Sequence, residues 1–273
     1  DFVSWPILLE VTTEEGEGDD KKAVTKDETI NTASALWRRP RSEIKDEEYL
    51  EFYRHVAHAP DEPMETLHFQ IEGTTSYTGL LYVPKQAPWD LFERERRQGV
   101  RLYVKRVMIM EDCKDFVPDH LRFIRGVIDS DDLPLNVSRE LLQEDRTVRT
   151  IRKTVVNKVL AAIEQMADKR KDDYAAFWGE FGRVLKEGLH TDFENKDRLA
   201  NLVRWPSSTE QLTSLAEYVE RMPEDQDAIY YAFGTNRDAV ENSPHIEALK
   251  KRGTEVLYMT DPIDEWAVEG IRE

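Results

Sequence analysis

Apolar and polar positions divide the chain into segments of differing period. Residues 5–12 (WPILLEVT) are rich in branched and apolar side chains and predict a strand; residues 13–28 (TEEGEGDDKKAVTKDE) have almost nothing to bury and read as a mobile acidic loop. Helical spacing follows over residues 46–58, with Asp46, Glu47 and Glu48 at the start, where negative charge meets unpaired N–H groups, and Tyr49, Phe52, Tyr53 and Val56 on one face. Residues 67–72, 77–83 and 100–110 predict three strands of one sheet, separated by Gly- or Pro-containing breaks. DHLRFIRG suggests a short helix, GVID another strand, and DDLPLNVSRELLQ a loop entering a helix near Ser138.

From 139 to 204 the pattern is helical, broken around 168–173 and 188–192, which predicts a helical connector between two domains. Tyr174, Phe177, Trp178 and Phe181 fall at i, i+3, i+4 and i+7, the spacing of a buried helical face rather than of an aromatic binding box. After Trp205-Pro206 helix and strand alternate. A helix over 212–221 carries a Ser214/Glu217 capping box, DAIYYAF is a strand, 237–252 a helix ending at Gly253, EVLYM a strand, and a last helix starts at Asp264. Such alternation predicts a second, smaller parallel sheet and an α/β class. The domain boundaries expected are 1–168, 169–204 and 205–273.

Composition narrows the function. The 273 residues suffice for about two domains. A net charge of −17 disfavours nucleic acid as a partner, despite the cluster Arg94, Arg96, Arg97, Arg101, Lys105 and Arg106. No apolar run is long enough to span a membrane and no export signal opens the chain, so a cytoplasmic protein with no membrane partner is expected. The single cysteine, Cys113, excludes an internal disulfide and a thiolate zinc cage. The chain begins at Asp1 rather than methionine and reads as a fragment of something larger.

Neither phosphate-binding glycine loop, G-x-x-x-x-G-K-[ST] or G-x-G-x-x-G, occurs, and G-x-S-x-G and H-E-x-x-H are also absent. His55 and His58, with Asp61 and Glu62 nearby, have the spacing of metal ligands on a helix, but no pattern fixes a third ligand, so no metal is expected. The most informative segment is DDLPLNVSRELLQ, which gathers Asn136, Ser138, Arg139 and Gln143 at a helix start. Backbone N–H groups and an arginine fork there suit a phosphate; the simpler alternative is that Ser138 caps the helix and Arg139 pairs with a surface carboxylate.

SALWRRPRSEIKDEEYLEFYRHVAH, YTGLLYVPKQAPWDLFE, RLYVKRVMIMED, LRFIRGVIDSDDLPLNVSRELLQ and FWGEFGRVLKEG resemble, in the same order, segments of the ninety-kilodalton heat-shock chaperones in their bacterial, high-temperature protein G branch. The resemblance runs from about residue 5 to the end, LPLNVSRE being its most specific part. It implies the middle segment of such a chaperone: a large α/β/α layer domain, a short helical connector and a smaller α/β/α domain. It also implies that ATP and Mg bind in a separate N-terminal domain, so that this fragment binds no cofactor and hydrolyses nothing alone. Arg139 then reaches the terminal phosphate of ATP, with Asn136 and Gln143 in the same catalytic loop. Partly folded client proteins are implied partners, contacted through Trp37, Trp89, Met108, Glu265 and Trp266. The protein's own N-terminal and C-terminal dimerisation domains, and the seventy-kilodalton heat-shock chaperone, complete the implied set. Met108 stands where the family frequently has Phe, and Glu269 where a relative has Asn. Beside this reading stand a self-contained α/β enzyme clamping phosphate with Arg139 and a pure interaction scaffold.

Overall fold

A computed structural model describes residues 7–15, 22–29, 34–93, 99–135, 145–210 and 212–272. They form two compact units, the first made of Asp1–Val83, Arg97–Phe116 and Ile124–Arg152, the second of Pro84–Arg96, Val117–Phe123 and Lys153–Glu273.

The first unit is organised by a five-stranded sheet of order β3-β4-β7-β5-β6, with β3 at Glu65–Ile71, β4 at Tyr77–Val83, β5 at Gly99–Val104, β6 at Val107–Met110 and β7 at Arg125–Ser130. Only β5 and β7 run parallel. Every residue of β4 and β7 is buried, so both strands are covered on both faces, which fits their near-continuous apolar runs. Gly126 is needed at the centre: its φ is +134°, and a Cβ there would lie 2.1 Å from the Leu80 carbonyl oxygen of the neighbouring strand. Helix α1 (Asp46–Ala57) lays Phe52, Tyr53 and Val56 on the sheet beside Leu80, Tyr82, Tyr103 and Val127, as its spacing predicts.

Three expectations for this unit change. The run 100–110 is two strands rather than one, because Lys105 and Arg106 both take positive φ (51° and 69°) and turn the chain into a two-residue hairpin. DHLRFIRG holds a single 3-10 turn, Asp119–Leu121, in place of a helix. The described parts of the acidic segment, 13–15 and 22–28, are strand rather than loop. β1 (Leu8–Glu15) pairs antiparallel with β2 (Lys22–Thr29) in a register that sets Thr12 opposite Thr25, their hydroxyls 3.3 Å apart. The ribbon exposes most of its described side chains, so no alternation of apolar and polar positions announced it.

The second unit holds α2 (Arg146–Lys169) from residue 153 onward, then α3 (Lys171–Lys186), α4 (Gly188–Thr191), α5 (Lys196–Leu202), α6 (Leu215–Arg221), β8 (Tyr230–Phe233), α7 (Arg237–Glu241), α8 (Pro244–Lys251), β9 (Val256–Met259) and α9 (Asp264–Arg272). The stripe Tyr174, Phe177, Trp178 and Phe181 is buried, with Phe181 stacked on Phe123 at 4.6 Å between ring centroids. Ser214 and Glu217 form the capping box of α6. β8 and β9 pair in parallel. The helix expected over 237–252 is two, since Pro244 has no N–H to continue the ladder and instead occupies the first turn of α8 behind the Ser243 cap. Lys186 is buried against Asp261 (2.7 Å) and Asp264 (2.8 Å), and Trp205 Nε1 donates to the same Asp264 at 2.8 Å. A buried cation of this kind persists only when it is paired and hydrogen-bonded.

Candidate functional site

The end of β7 is where the informative loop departs. Asp129 is fully buried there, and its carboxylate collects three donors: Trp37 Nε1 at 2.8 Å, Arg38 Nε at 2.7 Å and the backbone N–H of Arg106 at 3.2 Å. Trp37 and Arg38 come from the 3-10 turn Leu36–Arg38, and Arg106 from the β5–β6 turn. The rest of the Arg38 fork grips Asp131, Nη1 to Oδ2 at 2.7 Å and Nη2 to Oδ1 at 2.8 Å. Burial works against the guanidinium charge, but the bonds to Asp129 and Asp131 outweigh it and hold Arg38 above the usual arginine pKa.

The next residues are anchored in turn. The Asp131 N–H donates to the Ser76 carbonyl at 3.0 Å, Asp132 accepts from the Ser76 N–H at 2.5 Å, and Ser130 Oγ accepts from the N–H groups of Asp132 and Leu133 at 3.3 Å each. Arg139, Asn136 and Gln143, the catalytic residues the resemblance implies, and Ser138, the expected helix cap, lie outside the described residues. The described helix nearest to them, α2, opens at Arg146 with Asp145 as its cap, the carboxylate accepting from Thr147 N–H at 2.6 Å.

The expected client contacts divide by exposure. Trp37 is fully buried between Phe52 (5.6 Å) and Tyr103 (4.7 Å) and hydrogen-bonded to Asp129, so the surface role expected of it is corrected to a core role. Trp89 is 92% exposed. Its segment is held by Ala87 N–H on Glu180 and by the Leu91 carbonyl on Arg122, with the exposed ring of Phe92 under the Arg183 guanidinium at 4.8 Å. Met108 is 47% exposed on the edge strand β6, next to exposed Val107. Trp266 is 53% exposed on α9, its ring edge-on to His190 at 5.2 Å, with Glu265 exposed beside it. Phe92, Asp129 and Arg38 were missed. The WRR and DSDD runs hinted at an ion pair, but a separation of 91 positions in sequence hid it.

Other chemistry-bearing groups have structural settings. Burial pushes the Cys113 thiol up to about 12, which leaves it un-ionised and a poor nucleophile. His58 closes α1 in the left-handed conformation, His55 is exposed in its last turn, and no cluster of three metal-ligating side chains occurs among the described residues. None of the helices described is long and apolar enough to cross a membrane.

His68 bridges Tyr49 and Trp37, its Nδ1 2.7 Å from the Tyr49 hydroxyl and its Nε2 2.9 Å from the Trp37 carbonyl oxygen. The neutral ring satisfies both by accepting at Nδ1 and donating from Nε2. Burial, helped by Arg41, pushes His68 below the usual histidine range against the opposing pull of that carbonyl. The unfolded chain therefore takes up the proton first. The contribution of His68 is full above about pH 6.5 and is lost as pH falls through the folded-state value. Unfolding free energies measured at about pH 7.5 and 5.5 should differ less for His68→Gln than for the parent; an equal difference would mean that His68 does not set this dependence.

Comparison with known proteins follows the same lines. The family model described as Hsp90 protein matches residues 9–273. Chaperone protein HtpG of Myxococcus xanthus is 57% identical over 274 residues, which cover all of this chain and 42% of that protein. The HtpG of Nocardia farcinica is 53% identical over 282 residues, covering all of this chain and 43% of that one. Among solved structures, the middle domain of a Plasmodium falciparum heat shock protein superposes with a TM-score of 0.78 at 33% identity, over 87% of this chain and 93% of that one. The chain thus spans less than half the length of the curated relatives it matches.

Proposed function

The chain belongs to the Hsp90 protein family and has the fold of its middle domain, and from that premise we propose that it works as the middle segment of an ATP-dependent molecular chaperone. The observation that carries the reading is the family match along residues 9–273, together with alignment of the whole of this chain to 42–43% of the length of proteins named chaperones.

Two tasks follow from the proposal. In the first, ATP and Mg are held by a separate N-terminal domain, and Arg139, with Asn136 and Gln143 beside it, meets the charge on the terminal phosphate. A guanidinium suits this role because it stays charged and its fork matches two phosphate oxygens. Hydrolysis then belongs to the whole chaperone, with this segment as one contributor. In the second, partly folded proteins in the cytoplasm are held on apolar surface. The exposure of Trp89, Met108 and Trp266 supports that task, since large apolar side chains left in water mark interaction sites. The N-terminal domain, a C-terminal dimerisation domain and the seventy-kilodalton heat-shock chaperone are the partners proposed besides clients.

Client holding is tested by Trp89→Ser and Trp266→Ser in the full-length chaperone, read as protection of a heat-aggregating model enzyme. Truncating an exposed aromatic anchor should weaken client affinity by about tenfold, with stability changed by no more than about 0.5 kcal/mol because neither ring lies in the core. Unchanged protection by a folded double variant would reject these residues as the client surface.

A further inference from the structure

We infer that Lys186 and Gly270 are positioning residues for the Trp266 client contact, an inference that rests on the client-holding reading given above. They fix helix α9, which carries Trp266, one at its start and the other near its end.

Asp264 is the first residue of α9, two before Trp266, and is fully buried. Its carboxylate accepts from Trp205 Nε1 at 2.8 Å and from the Asp261 N–H at 2.9 Å, with Lys186 Nζ 2.8 Å from Oδ1. The same ammonium donates to Asp261 Oδ2 at 2.7 Å, so one cation holds both the first residue of α9 and the turn that leads into it. Lys186 ends α3 and is buried, with the rings of Trp178 and Trp205 centred 5.8 and 5.4 Å from its Nζ. Moving Asp264 off that cation would leave charge uncompensated away from water, which makes the start of α9 stiff.

Near the other end, α9 passes so close to α4 that a Cβ at Gly270 would lie 2.3 Å from the Leu189 carbonyl oxygen. Only glycine permits that approach. His190, the residue after Leu189, meets the Trp266 ring edge-on at 5.2 Å, so α4 is both the stop for α9 and the platform under the tryptophan. Between the two ends Ala267 and Val268 are buried, whereas Glu265, Trp266 and Glu269 are exposed. Successive helical residues are about 100° apart, so a partial rotation of α9, or a lift away from α4, changes how the Trp266 ring is presented. Lys186 is buried and Gly270 has no side chain, so neither offers a client a contact of its own. Their influence on binding passes through α9.

The test uses the full-length chaperone and dye-labelled, reduced and carboxymethylated α-lactalbumin, a permanently unfolded protein, with affinity read by fluorescence anisotropy. Gly270→Ala should weaken binding by about fivefold, approaching the loss from Trp266→Ser. Acrylamide quenching of Trp266, taken as the difference between each protein and its Trp266→Phe counterpart, should change in Gly270→Ala, a signature that loss of stability alone does not produce. Lys186→Met should weaken binding similarly, and Lys186→Arg should restore part of it. Asp261→Ala alters only the outer acceptor, whose side chain is 40% exposed, and should weaken binding by about threefold with the melting temperature little changed. In a Trp266→Ser background, Gly270→Ala should cause no further loss, since the ring it positions is gone. Unchanged affinity for Gly270→Ala, or the same fold-loss in both backgrounds, overturns the inference while leaving the role of Trp266 intact. If Gly270→Ala and Lys186→Met unfold the protein, Asp261→Ala decides, and unchanged affinity there overturns the inference. If Trp266→Ser itself leaves binding unchanged, the reading of the client surface fails and this inference falls with it.

Discussion

Arg139→Ala in the full-length chaperone is expected to lower kcat for ATP hydrolysis by about 100- to 1,000-fold, with KM for ATP little changed. During phosphoryl transfer, negative charge spreads over the oxygens of the departing group, and a fixed cation aimed at them acts mainly in the transition state. Removing one such preorganised group typically costs about 10²–10³ in kcat. KM should hold because, in the proposed arrangement, the nucleotide is bound by another domain. Arg139→Lys should recover a minor part, since an ammonium cannot bridge two oxygens. Steady-state phosphate release over a range of ATP concentrations gives both constants. The same assay on the 273-residue chain alone should give no turnover above background; turnover there would support a self-contained enzyme instead.

Trp37→Ala carries the largest expected stability effect. The ring is fully buried between Phe52 and Tyr103, and truncating a core tryptophan costs about 3–5 kcal/mol. It also removes one of the donors to the buried Asp129 carboxylate, a further cost of about 1–3 kcal/mol. Domain stabilities are commonly about 5–15 kcal/mol, so the variant should be largely unfolded at modest denaturant. Trp37→Phe separates the two contributions, keeping most of the packing while losing the indole donor, and should cost about 1–3 kcal/mol. Denaturant titration of the 273-residue chain measures both. Near-parental stability of Trp37→Ala would show that this residue is not the core element the geometry makes it.

Trp37 also marks where sequence reasoning stops. The periodic elements were legible: α1, β3, β4, the aromatic face of α3 and the capping box of α6 all stand where spacing or end chemistry put them. Trp37 lies in a three-residue turn, too short for any period, and its burial depends on an aspartate 92 residues away. The fork of Arg38 was hidden for the same reason. The β1–β2 ribbon escaped notice because it has no buried face to imprint alternation, and the break before Pro244 was obscured by apolar positions that continue the helical period across it. Of the candidate site, the exposure of Trp89 and Trp266 could not be read from residue type, since both also suit a core.

If partly folded proteins are held on this surface as proposed, its apolar edges must not adhere to its own copies. Strand β6 sits at that risk, with Val107 and Met108 open to water at the rim of a sheet. It is only four residues long, and the two residues just before it, Lys105 and Arg106, are exposed cations. Its brevity limits how many backbone bonds an approaching strand could form, and desolvating those charges penalises close stacking by a like edge. On the proposed reading, the tight turn that splits residues 99–110 into two strands also sets two cations beside that exposed rim, a charge placement of the kind that disfavours edge-to-edge pairing.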